Sequence, residues 1–369
     1  MPGATLQTRP FRLTVAGEGD ARHTNHRMWK QLKRDIRLRG QVFSRRTGHA
    51  PRTWLVAILA SATVGATPTA AGPDPYAQPG RLVRLADGRA LNLVCSGRGS
   101  PTVILESGFG AGAFAWGQVQ PVVARRTRVC SYDRAGYGFS DPGPLPRDGA
   151  AIARDLDGAL RITGERGPFV IVGHSSGGLY ARLFAARRRS EAAGLVLVDP
   201  SVPFQDRRFA AAFGSSAGGL EGVRRHPAAC LQAAEARSQA ALEAEGCLPK
   251  QPAHARAAAA RPGGWRTQVS ELDTLFTTTS DQVNRTRPVL KDVPTIVLSA
   301  SPTGVAAGQE DPAAMVWQSL HREIAAASLA GQHRIVKSSH LMMSDRPEIV
   351  AGAALELVDA SRKTAARRR

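Results

Sequence analysis

Ser175 stands in a sequence context that is typical of a catalytic nucleophile. Residues 169–178 read FVIVGHSSGG, so the pattern Gly-x-Ser-x-Gly follows an apolar, β-branched run and precedes a helical pattern at 179–187. At such a strand-to-helix turn the serine hydroxyl rises above the sheet, and free N–H groups of the helix point at the reacting centre. The residues therefore predict attack by the Ser175 hydroxyl on an acyl carbon.

The same motif occurs a second time without this context. Residues 214–218 read GSSAG around Ser216, but the preceding FAAAF contains no β-branched strand. A nucleophile on this motif needs a strand before it and a helix after it. We therefore predict that the Ser216 copy is a loop without a catalytic role.

A serine nucleophile needs a general base, and His340 fits that role. Residues 334–340 read RIVKSSH, which predicts a late strand, a short loop and then the histidine. A serine followed by a histidine near the C-terminus is the chain order expected for this arrangement. Four other histidines have helical or polar surroundings that favour structural or surface positions: His226, His254, His321 and His333.

An early glycine-rich turn can supply a second donor for the oxyanion. Residues 102–110 read TVILESGFG, a buried strand that runs into a turn. Two backbone N–H groups usually hold the developing negative charge in acyl transfer. We expect them to be the N–H groups of Phe109 and Ser176, with Gly108 beside the bound acyl group.

Strands that alternate with helices must position these residues. Near-continuous apolar strands separated by helices predict a parallel sheet buried on both faces. A hairpin that turns at Ala86-Asp87-Gly88 precedes them and adds an antiparallel pair, so the predicted sheet is mostly parallel and has roughly eight strands. The predicted strands are Leu82–Leu85, Leu91–Val94, Thr102–Leu105, Arg128–Tyr132, Phe169–Val172, Gly194–Val198, Thr295–Leu298 and Arg334–Val336.

The alternation is interrupted once, between the sixth and seventh predicted strands. Residues 201–293 are rich in alanine and helical patterns, and they are too long for a simple connection. We predict that they form an inserted helical cap. The hydrolytic core then comprises residues 72–200 and 294–361.

Charge is concentrated at the two ends of the chain. The net charge of the whole chain is +19, yet residues 53–361 contain 32 basic and 27 acidic side chains. The basic segments lie within 1–71 and 362–369, so the charge of the body does not predict a nucleic-acid partner. Residues 53–66 read TWLVAILASATVGA, a short apolar stretch after a basic run and before small residues, which is typical of a secretory signal.

Taken together, these features resemble the α/β-hydrolase superfamily, and within it a cap-bearing, serine esterase-like branch, across about residues 80–361. Residues 133–140 are similar to the segment D-R-x-G-x-G-x-S, which follows the fourth strand in cap-bearing members and borders their active site. The resemblance therefore implies that Arg134 and Tyr137 contribute to a substrate pocket, as His174 does beside the nucleophile. It also implies an enzyme that cleaves a small ester, thioester or amide without a metal or other cofactor. The epoxide hydrolases and haloalkane dehalogenases of the family need a carboxylate nucleophile, so Ser175 argues against those activities.

The acid that orients the histidine is less well defined by the resemblance. The family usually places it just after the seventh strand, but the first acidic residues there are Glu310 and Asp311, on a longer loop. Some members place it at the end of the sixth strand, where this chain has Asp199. A strand end holds a carboxylate more rigidly than a loop does. Asp199 is therefore the preferred acid and Asp311 the alternative, while a structural role for Asp199 in the turn before Pro200 stays open.

Two other functions remain as alternatives. A hydrolase fold can serve as a binding protein without turnover. Residues 102–133 also contain a strand, Gly108-x-Gly110-x-x-Ala113 and then Asp133, an imperfect version of the pattern that binds NAD. That interpretation leaves Ser175 and His340 unexplained, so the hydrolase is preferred.

Four cysteines add an expectation about the compartment. Cys230 and Cys247 are 17 residues apart in the predicted cap, where a disulfide would join two helices. Cys95 and Cys130 fall on strands that are neighbours in the resembled fold, so they form either a second disulfide or a pair of buried thiols. Disulfides and a signal segment predict an exported protein, periplasmic or secreted, which would contact the membrane only through an uncleaved N-terminal segment.

Overall fold

Eight strands form one sheet in the computed structural model, which describes residues 75–214, 220–249, 253–301 and 312–367. Ser216, Glu310, Asp311 and the predicted signal segment lie outside these residues. The strands are β1 (Arg81–Arg84), β2 (Ala90–Ser96), β3 (Thr102–Glu106), β4 (Val129–Tyr132), β5 (Phe169–His174), β6 (Ala192–Val198), β7 (Thr295–Ser301) and β8 (Gly331–Lys337).

The sheet has the order β1-β2-β4-β3-β5-β6-β7-β8. β1 and β2 form an antiparallel hairpin, β2 runs antiparallel to β4, and every other pairing is parallel. The predicted fold class, a mostly parallel eight-stranded α/β-hydrolase sheet, is confirmed. The carboxyl ends of the parallel strands lie along one edge, which is where ligand sites of such sheets form.

Helices cover both faces of the sheet. The helices are α1 (Gln120–Ala124), α2 (Gly149–Thr163), α3 (Gly177–Arg187), α4 (Gln205–Phe213), α5 (Leu220–Glu235), α6 (Gln239–Ala244), α7 (Ala253–Ala259), α8 (Pro262–Leu275), α9 (Thr278–Leu290), α10 (Pro312–Ala326), α11 (Met342–Asp345) and α12 (Pro347–Arg367). None of these described helices is both long enough and apolar enough to cross a membrane.

Alternating side chains of the strands divide the core into two layers. Ile171 of β5 packs with residues of α2 and α3, whereas Val170 and Val172 pack on the opposite face with residues of α1 and α12. This alternation is the period of two that a strand imposes on its side chains. Because both faces are buried at the centre of the sheet, β3, β5 and β6 are apolar over most of their length, as their sequences predicted, whereas the edge strands β1 and β8 are largely exposed.

The segment between β6 and β7 contains α4 to α9, with a small core of its own. A disulfide joins Cys230 to Cys247, and these residues pack with Leu242 and Trp265. The last helix behaves differently, since α9 lies against α2 and α3 and the Thr279 hydroxyl accepts a hydrogen bond from the Gly149 N–H at 2.9 Å. Although α9 lies within residues 201–293, which were predicted to form the cap, it therefore belongs to the layer of helices that covers the sheet.

A second disulfide joins β2 to β4. Cys95 and Cys130 are directly opposite each other in this antiparallel pair, with Cα atoms 4.1 Å apart. The predicted Cys230–Cys247 disulfide is confirmed, and of the two alternatives for Cys95 and Cys130 the structure has the disulfide; the described residues contain no free cysteine.

Candidate active site

Ser175 lies on the tight turn between β5 and α3. Its φ of 52° falls in the left-handed region, which a residue with a β-carbon adopts at a cost. The turn is held in place because the Ser175 N–H donates to the Val198 carbonyl at 3.1 Å. Gly177 has to be a glycine here, since a β-carbon would collide with the carbonyl oxygen of Ser107. The nucleophile candidate is partly exposed while its neighbours His174 and Ser176 are buried.

Two N–H groups beside Ser175 are free to bind an oxyanion. Neither the Phe109 N–H nor the Ser176 N–H donates a hydrogen bond to any described residue. Ser176 precedes the first turn of α3, where the dipole of the helix favours negative charge. The turn that carries Phe109 approaches Ser175 closely, because a β-carbon on Gly108 would lie 3.1 Å from Ser175 Cβ and 2.7 Å from His174 Nδ1. The predicted oxyanion residues are therefore next to one another.

His340 follows β8 and lies beside the nucleophile turn. Its backbone carbonyl accepts a hydrogen bond from His174 Nε2 at 2.9 Å, and the two rings are 4.6 Å apart. The loop before it is fixed by Asp345, which accepts a hydrogen bond from the Ser339 N–H at 3.0 Å. No hydrogen bond joins the Ser175 hydroxyl to His340 Nε2 among the described residues. Such bonds often form only when substrate is bound.

Asp199 lies at the end of β6 and contacts the predicted base. Its Oδ2 accepts a hydrogen bond from His340 Nδ1 at 2.6 Å, and its Oδ1 accepts one from the Ala300 N–H at 2.9 Å. The carboxyl is 3% exposed, and although this burial disfavours the charged form, the bond and charge of His340 lower its pKa to about 2. A third donor, the indole of Trp317, binds Oδ1 at 2.8 Å. The predicted acid is thus an ionised group that fixes the histidine.

The carboxylate is covered by α10, which the sequence did not predict; His321 of this helix has the structural position that its sequence context favoured. Trp317 and His321 are four residues apart on that helix and therefore face the same way. Their spacing was visible in the sequence, but nothing in it indicated that this face covers Asp199. His321 is buried, its Nε2 donates to the Pro200 carbonyl at 2.8 Å, and its Nδ1 accepts from the Ser299 hydroxyl at 2.6 Å. Burial lowers the pKa of His321 to about 4, so it is neutral at neutral pH.

His174 is buried beside Ser175 and contacts the loop that carries His340. The side chain is 4% exposed and is hydrogen-bonded to the carbonyl of His340, as described above. Burial, together with the charge of His340, lowers its pKa to about 3. Through these contacts His174 links the turn that carries Ser175 to the loop that carries His340. The resemblance had implied that it lines the substrate pocket.

Arg134 and Tyr137 are buried next to the turn that carries Gly108. Both were expected to border the substrate pocket, but they are 2% and 5% exposed and contact other protein groups. Arg134 forms ion pairs with Glu106 at 2.9 Å and with Glu271 at 3.0 Å, and the Tyr137 hydroxyl donates to Glu271 at 2.9 Å. The two acidic partners, one from β3 and one from α8, are far from Arg134 in sequence and were not predicted, and a contact of Arg134 or Tyr137 with substrate stays a prediction.

The side chains that NAD binding or a metal site would need already contact other protein groups. Asp133 would bind a ribose in the NAD interpretation, but its carboxylate accepts hydrogen bonds from the Ala113 and Phe139 N–H groups and from Asn92. The NAD interpretation also requires β3 to be the first strand of the chain, whereas β1 and β2 precede it. Cys95, Cys130 and Glu165 are close enough together to suggest a metal site, but both sulfurs are used in a disulfide.

Comparison with known proteins agrees with this architecture. The model of the alpha/beta hydrolase family matches residues 103–353. An uncharacterised protein of Schizosaccharomyces pombe is 42% identical over 81 residues, which are 22% of this chain and 15% of that protein, so the match spans a small part of that relative. A thermophilic esterase from Thermogutta terrifontis has a similar structure, with a TM-score of 0.53, 21% identity and coverage of 77% of this chain and 99% of the esterase. The epoxide hydrolase CorEH superimposes with a TM-score of 0.55 at 18% identity, covering 75% and 97% of the two chains. At these identities the two structures show the shared fold alone.

Proposed function

This chain belongs to the alpha/beta hydrolase family, and from that premise we propose that it is a serine hydrolase that cleaves a small ester, thioester or amide. The observation that carries the proposal is the 2.6 Å hydrogen bond between His340 Nδ1 and Asp199, at the edge of the sheet where Ser175 takes its strained conformation. A nucleophile, a base and an acid that orients the base are the three parts of this chemistry.

The reaction follows from the role of each group. The Ser175 oxygen attacks the acyl carbonyl carbon while its proton passes to His340 Nε2, and Asp199 stabilises the imidazolium that forms. The N–H groups of Phe109 and Ser176 bind the oxyanion of the tetrahedral intermediate. His340 then gives the proton to the leaving group as the carbonyl bond re-forms. A water molecule, deprotonated by His340, attacks the acyl-enzyme by the same path, and the acid product leaves with Ser175 restored.

The residue type at the position of the nucleophile favours one of the activities found on this fold. Hydrolases that open epoxides or remove halide first form an ester on a carboxylate nucleophile, and this chain has Ser175 at that position of the turn. A serine forms an acyl-enzyme from a carbonyl substrate instead. The proposal is therefore acyl transfer to water.

We also propose that the protein is exported. Two disulfides are compatible with an oxidising compartment. The basic run and the apolar stretch at 53–66 support the same conclusion. N-terminal sequencing of the protein recovered from its native host would test it, and recovery in the cytoplasm with free thiols would contradict it.

The hydrolase proposal is tested by turnover of a series of p-nitrophenyl esters of increasing acyl length. We expect hydrolysis by the wild-type chain and none by Ser175→Ala. If neither protein hydrolyses any ester or thioester in the series, and neither reacts with a fluorophosphonate, the alternative of a binding protein without turnover is favoured.

A further inference from the structure

Arg134 binds the peptide group that joins Gly108 to Phe109. Arg134 Nη2 donates to the Gly108 carbonyl at 2.9 Å, and Nη1 donates to the Ser107 carbonyl at 2.6 Å. This peptide is trans, because every cis peptide bond in the described residues joins a residue to a following proline. In a trans peptide the C=O and the N–H point in opposite directions. An arginine that fixes the Gly108 carbonyl therefore also fixes the direction of the Phe109 N–H.

We propose that Arg134 is a positioning residue for the oxyanion hole, and that Glu271 of α8 holds Arg134 in the orientation this requires. The inference rests on the proposed serine hydrolase function. It assigns a role in that reaction to two residues that do not touch the substrate. It also connects the segment inserted between β6 and β7 to the oxyanion turn.

The guanidinium is held from two sides by carboxylates. Glu106, at the end of β3, accepts a hydrogen bond from Nη1 at 2.9 Å. Glu271 accepts one from Nη2 at 3.0 Å, and the same oxygen accepts another from the Tyr180 hydroxyl at 3.0 Å. The guanidinium also lies over the ring of Tyr137, 4.7 Å from its centre. The planar fork of arginine suits this arrangement because it can bind two carbonyls and two carboxylates at fixed angles.

Stability alone gives a poor account of this cluster. Arg134, Glu106 and Glu271 are each 2% exposed or less. Removing such charges from water costs so much that well-packed apolar residues of the same volume are often as stabilising. What apolar residues could not do is bind the carbonyls of Ser107 and Gly108. The contacts with these two carbonyls therefore separate a positioning role from a merely structural one.

The test compares Arg134→Lys, Glu271→Gln and the double variant with the wild type. Lysine keeps the charge but cannot bind both carbonyls and both carboxylates. Glutamine keeps the shape of the Glu271 side chain but weakens its bond to Arg134, because the negative charge is lost. Asp273→Asn is the matched control, because Asp273 is on the same helix and forms an exposed ion pair with Arg224. For each protein we would measure kcat and KM with a p-nitrophenyl ester, the inhibition constant of a trifluoromethyl ketone, and the temperature of unfolding.

The trifluoromethyl ketone reports on the oxyanion hole because its adduct with the serine carries an oxyanion. Since loss of one oxyanion donor lowers kcat about 10²–10³-fold, a misdirected donor in Arg134→Lys should lower it about 30–100-fold. The affinity of the ketone should fall by a similar factor, with KM within about threefold. Glu271→Gln should lose roughly tenfold, and the double variant should lose little more than Arg134→Lys, because both act on one peptide.

The outcomes separate this inference from the proposed function. If the wild type hydrolyses the ester and the variants change only the temperature of unfolding, the positioning role is wrong and the function stands. If Asp273→Asn loses as much as Glu271→Gln, the effect belongs to the helix as a whole and the inference is overturned. If the wild type shows neither turnover nor binding of the ketone, the proposed function fails and the inference fails with it.

Discussion

The indole N–H of Trp317 donates to Oδ1 of Asp199 at 2.8 Å, on the oxygen that His340 does not use. The carboxylate is therefore oriented from two sides, by the imidazole on Oδ2 and by the indole on Oδ1. A carboxylate that accepts several hydrogen bonds stays ionised and keeps one orientation. In the proposed reaction, this contact gives α10 an effect on catalysis although Trp317 is not one of the reacting groups.

Trp317→Phe should therefore lower kcat without removing activity. Loss of one hydrogen bond to a buried carboxylate costs about 1.5–3 kcal/mol, which corresponds to a decrease of roughly 10- to 100-fold if all of it appears in the transition state. The matched control is Trp265→Phe, whose indole binds the Ala259 carbonyl within the inserted segment. Steady-state kinetics of both variants would check this, and equal effects of the two substitutions would contradict it.

Asp199→Asn should be far more damaging. An asparagine can present its amide to His340 and so favour the wrong tautomer, which lowers kcat by about 10⁴-fold in the well-studied triad. The protein should still fold, because the amide has the same shape. Asp311→Asn is the control, since Asp311 is the alternative acid. Near-full activity of Asp199→Asn together with an inactive Asp311→Asn would reverse the assignment.

Glu106 should make stability depend on pH. Burial raises its pKa to about 7, although Arg134 and the Tyr132 hydroxyl oppose the shift. A proton therefore binds Glu106 more tightly in the folded protein than in the unfolded chain, and the ion pair with Arg134 is complete only above about pH 7. The free energy of unfolding must then fall as pH rises from 4.5 to 7, by about 3 kcal/mol.

Glu106→Gln should lack this part of the pH dependence. Denaturant titrations of both proteins from pH 4.5 to 8 would reveal it as a difference that grows with pH in favour of the variant. Glu356→Gln is a useful contrast, because Arg334 lowers the pKa of that carboxyl. Its contribution to stability is lost only as pH falls below 4.5, so the difference between the wild type and Glu356→Gln should stay nearly constant from pH 4.5 to 8. A constant difference between the wild type and Glu106→Gln would refute the prediction.

The Cys230–Cys247 disulfide should contribute to the stability of the inserted segment. It closes a loop of 17 residues, for which the chain-entropy estimate is about 3 kcal/mol. The variant with serine at both positions should unfold at a lower temperature, as measured by calorimetry. Intact mass after alkylation without reductant should show no modified cysteine in the wild type, and modification of Cys230 or Cys247 would show that this bond does not form.

The sequence was informative wherever a local pattern determines the structure. Ser175 could be identified because its strand, turn and helix are contiguous, and the strands could be placed because buried parallel strands are apolar throughout. The ion pairs of Arg134 could not be predicted, for the opposite reason. Its position depends on Glu271, which lies 137 residues further along the chain. The contact of Trp317 with Asp199, and the place of His321 beside it, could not be predicted for the same reason, because a helix face does not reveal which strand end it covers.

The most direct test of the account is to locate the reaction of a fluorophosphonate on the intact chain. Labelled protein would be digested and the modified peptide sequenced by mass spectrometry, for the wild type, Ser175→Ala and Ser216→Ala. We predict a single label on Ser175 in the wild type and in Ser216→Ala, and none in Ser175→Ala or in denatured protein. Because phosphonylation needs an activated serine and an oxyanion site, it reports on both parts of the proposal. A label on Ser216, or undiminished labelling of Ser175→Ala, would contradict it.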